Sequence, residues 1–113
     1  MPTRYYIALP DPAKARAGGD YAFSSQGAGG FASELQEALR GDALFQRWRA
    51  AQDDPDGVDP ALGATDPGAT VEGQQDDLHI DLVATTSLPG SVFKHRLRLL
   101  AGSAWELRDV RNG

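Results

Sequence analysis

The clearest alternation of apolar and polar positions lies in the last third of the chain. Leu78, Ile80, Leu82 and Ala84 alternate with His79, Asp81, Val83 and Thr85, the period of a half-buried strand. Pro89-Gly90 follows with the residues a type II turn wants at its second and third positions. Pairing 88 with 91 across that turn predicts a second strand, with Leu82 opposite Leu97, Ile80 opposite Leu99 and Asp81 opposite Arg98. A three-residue loop over 101–103 predicts a third, setting Leu99 opposite Trp105 and Leu97 opposite Leu107. Both registers place apolar side chains on one face and an Asp81–Arg98–Glu106 charge row on the other. A shorter strand over 69–74, with Val71 inward, precedes this meander.

The first half reads differently. Tyr5 to Leu9 is aromatic and aliphatic and stops at Pro10, which predicts a strand. Pro12, Gly18 and Gly19 give 11–20 the chemistry of a loop, and the large–small alternation of Tyr21 to Ser25 predicts a weaker strand. Phe31, Leu35, Ala38 and Leu39 recur at helical spacing, with Gly30 or a Ser33–Gln36 capping box at the start and Gly41 at the end. Asp42 suits the N-cap of a second helix, about 43–52, with Leu44, Phe45, Trp48 and Ala51 on one stripe beside Arg47 and Arg49. The expected architecture is α+β: an antiparallel sheet of about five to six strands, closing in the C-terminal meander, with two short helices packed on one face.

Composition narrows the classes. A chain of 113 residues, 41% hydrophobic and 24% charged, fits one globular domain over 1–113. It has no cysteine, so disulfide, thiolate and cysteine-metal chemistry are excluded. No apolar run is long enough to span a bilayer and no secretory signal is visible, so a cytoplasmic address is expected. Nine Arg against two Lys is the usage of a GC-rich genome, and a bacterial source is expected. Residues 53–81 carry nine acidic groups and no Lys or Arg, while the flanking blocks are mildly basic. Within them 53–68 reads as a long acidic Pro/Gly-rich loop. The net charge of −5 disfavours nucleic acid, whose affinity comes from Lys and Arg displacing counterions.

Three strings invite chemistry, and each fails its context. Gly27-Ala28-Gly29-Gly30-Phe31-Ala32 matches a dinucleotide fingerprint, but a second helix and an acidic loop follow where a parallel strand with an acidic tip belongs. A flexible strand-to-helix joint is the plainer reading. Asp54 to Thr65 supplies acids where a calcium loop starts, but Val58 and Thr65 stand where it needs further ligands. His95 faces Asp109 in the expected register, a base with its orienting carboxylate, yet no nucleophile is placed beside them. His79 has no ligand partners at motif spacing, so neither a metal nor a cofactor is expected, and no catalytic residue.

What remains is the outer sheet face. Lys94, Arg96 and Arg98 share one side of the expected second strand, with Arg108 opposite Arg96 and Asp81 opposite Arg98. Facing like charges call for water or an acidic partner. The expected function is therefore a non-enzymatic protein-interaction module, with a protein partner or a second copy bound by this mixed basic–apolar face or by the acidic loop. The alternative is a small enzyme or ligand-binding domain with a pocket between helices and sheet, lined by His95 and Asp109.

Overall fold

The computed structural model describes residues 2–17, 19, 21–25 and 27–112; Gly18 and Asp20 of the expected first loop lie outside them. Strand β1 (Thr3–Leu9) follows the aromatic–aliphatic run and ends at Pro10. Helices α1 (Pro12–Arg16), α2 (Ala28–Arg40) and α3 (Ala43–Ala50) come next, then two short 3₁₀ turns, Pro55–Gly57 and Pro60–Gly63. The hairpin β2 (Thr70–Asp76) and β3 (His79–Thr86), helix α4 (Gly90–Ala101) and β4 (Glu106–Asn112) complete the chain.

The sheet order is β2-β3-β1-β4, antiparallel throughout. Strands β1 and β2 therefore run parallel with β3 between them, and β3 and β4 run parallel with β1 between them. Each pair is joined by a helical crossover, the split βαβ arrangement. The two crossovers start on oppositely directed strands and step in opposite directions, so two right-handed connections land on the same face. On that face Tyr5, Ile7 and Leu9 of β1 and Ile80, Leu82 and Ala84 of β3 meet Phe31, Leu35, Leu39, Phe93 and Leu97 in one core. Tyr5 stacks on Phe93 with ring centroids 4.2 Å apart, seating α4 over β1.

Among the described residues there are four strands and four α-helices, not five to six strands with two helices. The main correction is residues 90–101, expected as the middle strand of the meander and found as α4. Alternation over 95–99 competes there with a stronger helical stripe. Val92, Phe93, Arg96, Leu97, Leu100 and Ala101 are the buried residues, spaced by three and four. Pro89 stands at the N-cap, where its missing N–H costs nothing, and Gly102 ends the helix at φ +61. Leu82 consequently pairs with Ile7 and not with Leu97. Residues 21–25 form no strand, because the amides of 23–25 are taken by groups on α2 and α4. The amide of Phe23 donates to the Leu100 carbonyl at 2.8 Å, and those of Ser24 and Ser25 donate to the Glu34 carboxylate. Loop 11–20 holds α1, which the sequence reading did not anticipate.

The acidic connection is built from one repeated device. Asp11, Asp54 and Asp59 each precede a proline and accept a hydrogen bond from a backbone amide two or three residues on, with the proline in the first turn. Asp66, also before a proline, accepts from Gly68 N, then reaches β3 to accept from Thr86 Oγ1 and Ser87 N, both at 2.8 Å. Several acids of this segment are thereby helix and turn caps.

Candidate functional site

The five residues expected on one face do not share it. Lys94, Arg96 and Arg98 lie on α4, where positions two apart point about 200° apart around the axis. Arg96 is fully buried. Its guanidinium donates to the carbonyls of Ala38, Leu62 (2.9 Å) and Ala64 (2.6 Å), joining the last turn of α2, the second 3₁₀ turn and α4. The C-terminal carbonyls of α2 are the negative end of its dipole, which gives this unpaired cation a matching field. Burial depresses the guanidinium's proton affinity, and the charge of Asp42 opposes that. Arg98 is exposed beside Trp105 at the entry to β4, and Lys94 is half-buried. Asp81 sits on the helix-free face of β3, across from Ala8 and Gln74 and not Arg98. Arg108 pairs with Glu106 of its own strand at 3.0 Å. The expected Asp81–Arg98–Glu106 row and the Arg96–Arg108 pair do not form.

The strings that suggested catalysis or a ligand have structural roles. His95 stands edge-on to Trp48, with ring centroids 4.5 Å apart, in the helical layer. Burial, with the charges of Arg96 and Arg98, lowers its pKa from the ordinary value of 6.5. Asp109 is on the helix-free face of β4, across from Tyr6, and the Arg111 side chain bonds it at 2.7 Å. The sheet separates the two, and the space where a pocket was expected is occupied by the core. Gly27 caps α2, and Ala28 presses against Gly73 of β2, so the glycine string is a helix start packed on a strand.

Two features stand out instead. The first is β4, an edge strand whose seven residues are all exposed. Leu107 (37% exposed) and Val110 (46%) are opposite Ile7 and Tyr5, so both point to the helix-bearing side, beyond the cover of α4. A bulge at Arg108 makes this possible, since residues three apart would otherwise fall on opposite faces. Glu106, Asp109 and Arg111 lie on the other side, opposite Ala8, Tyr6 and Arg4.

The second is at the far edge. Asp76 and His79 are the last cross-strand pair of the β2–β3 hairpin, and Asp81 lies two residues along β3 on the same face. His79 Nε2 is 3.8 Å from the Asp76 carboxylate and 3.4 Å from that of Asp81. A β2 that ends near Gln74, as expected from the sequence, leaves Asp76 out of register with His79; the signal for the longer strand is Asp76-Asp77-Leu78-His79, a two-residue hairpin turn. No family model, curated protein or solved structure matches the chain.

Proposed function

We propose that this chain is a non-enzymatic protein-interaction module of the cytoplasm that associates through the free edge of β4, and that the strand it takes up belongs to a second copy of itself. The supporting observation is the order of charges along that strand. In an antiparallel pairing with the twofold axis between Arg108 and Asp109, Glu106 meets Arg111, Leu107 meets Val110, and Arg108 meets Asp109 of the second copy. Opposite charges face each other at every charged position, and the two exposed apolar residues cover one another. Faces match as well: the bulge lies at the axis, so Leu107 and Val110 remain on the helix-bearing side in both copies. Bulges usually blunt an edge against pairing; here the bulge creates the apolar pair that pairing buries. Of the basic residues expected to bind, Arg108 belongs to this edge and Arg98 flanks it.

Charge reversal tests the register. Each cross-strand pair occurs twice about the axis, so Glu106→Arg or Arg111→Glu alone weakens self-association by about tenfold or more. The double variant E106R/R111E restores it. Sedimentation equilibrium reads the constants. A wild-type chain that stays monomeric, or single reversals without effect, refutes the reading.

A further inference from the structure

The trio at the opposite edge carries an inference independent of β4. We propose that Asp76, His79 and Asp81 bind one divalent transition-metal ion of the zinc class.

Each residue offers one ligand atom, and the three atoms lie within 4.8 Å of one another. A tetrahedral ion about 2.0 Å from its ligands holds them about 3.3 Å apart. The two separations from His79 Nε2, 3.4 and 3.8 Å, are already near that figure. The donors are held by backbone ladders: Asp76 and His79 face each other across β2 and β3, and Asp81 sits on the next pleat of the same face. Little rearrangement is needed, which lowers the ordering cost of binding. Electrostatics favour a cation at the same point. Among the described residues neither carboxylate pairs with a Lys or Arg, and the His79 imidazole is the only basic group against them.

The donor set selects the class of ion. Two carboxylate oxygens with an imidazole nitrogen suit zinc, cobalt or nickel, whereas magnesium and calcium prefer all-oxygen shells. Three protein ligands leave a fourth position to solvent, because the trio is only partly covered: Asp76 is exposed, and His79 and Asp81 are half-buried.

The test uses the full chain without an affinity tag. Zinc chloride titrated by calorimetry gives one saturable site per chain, and cobalt chloride shifts the His79 ring resonances. His79→Ala and Asp81→Asn each weaken zinc binding by at least about tenfold, while His95→Gln, which removes the only other imidazole, leaves it unchanged. Circular dichroism verifies that the variants fold; the site is on the surface, so they do. Absence of saturable binding overturns the proposal. So does binding that persists in His79→Ala, or that falls only when Asp53, Asp54 and Asp56 are neutralised together. Sedimentation of wild type with and without zinc separates this result from the β4 reading, because the two edges lie on opposite sides of the sheet.

Discussion

Arg96 of α4 donates from Nη1 to the carbonyl oxygen of Ala38 in the last turn of α2, without an acidic partner for its charge. Its second terminal nitrogen serves Leu62 and Ala64, so one side chain closes the helical layer over the acidic connection. Arg96→Met keeps much of the volume but leaves these buried carbonyls unpaired, and costs about 3 kcal/mol. Arg96→Lys recovers only part of that, because an ammonium lacks the planar fork that reaches separate carbonyls. Urea denaturation measures both; a loss below about 0.5 kcal/mol in Arg96→Met contradicts the clamp.

Gly73 is a steric necessity of packing. It lies on the inner face of β2, and a Cβ there would run into the backbone carbonyl of Ala28 and sit 3.2 Å from the Ala32 side chain. Backbone cannot yield as a flexible side chain can, so Gly73→Ala destabilises by about 2 kcal/mol. Gly29, where an added Cβ meets nothing, serves as the control and tolerates alanine.

Acid lowers the stability of the fold in two stages. Below the ordinary histidine value of 6.5, the unfolded chain takes up the His95 proton before the folded one does, so stability falls as pH drops from 6.5 toward the lowered folded value. His95→Leu removes that first stage. The second begins near pH 4. Asp66 is held low by hydrogen bonds from Ser87 and Thr86; at Glu34 burial pulls upward and the bonds from Ser24 and Ser25 outweigh it. Both stabilise the fold above their unfolded values and lose that contribution as pH falls through their folded ones. Denaturation midpoints between pH 7.5 and 3 show whether the first stage disappears in His95→Leu while the second persists.

Much of this fold was legible locally. Strand β1, the two central helices with their break at Gly41-Asp42, and β3 with Ile80, Leu82 and Ala84 inward follow from periodicity, because in those segments one pattern dominates. Leu78, expected to share that inward row, stands in the hairpin turn and is exposed. Residues 90–101 were misread because Lys94 to Leu99 satisfies both periods, and the buried charge at Arg96 occupies a position where the helical stripe calls for an apolar residue. Charge alone placed Arg96 on the surface; only the carbonyls of Ala38, Leu62 and Ala64, far away in sequence, make its burial tolerable. The misplaced strand also hid the pairing of β1 with both β3 and β4, a long-range fact no local pattern carries. For the same reason β4 could not be recognised as an edge. The Asp76–His79–Asp81 trio depended on a single hairpin register, and extending β2 by two residues would have revealed it.

Pairing of β4 with β4 of a second copy would bring side chains of the two chains into contact across the twofold axis. Isotope-filtered nuclear Overhauser spectra on a mixture of labelled and unlabelled chains resolve contacts between copies from contacts within one. Edge pairing gives methyl cross-peaks between Leu107 of one chain and Val110 of the other. Intermolecular contacts that involve the helices and spare both residues, or no such contacts at millimolar concentration, contradict it.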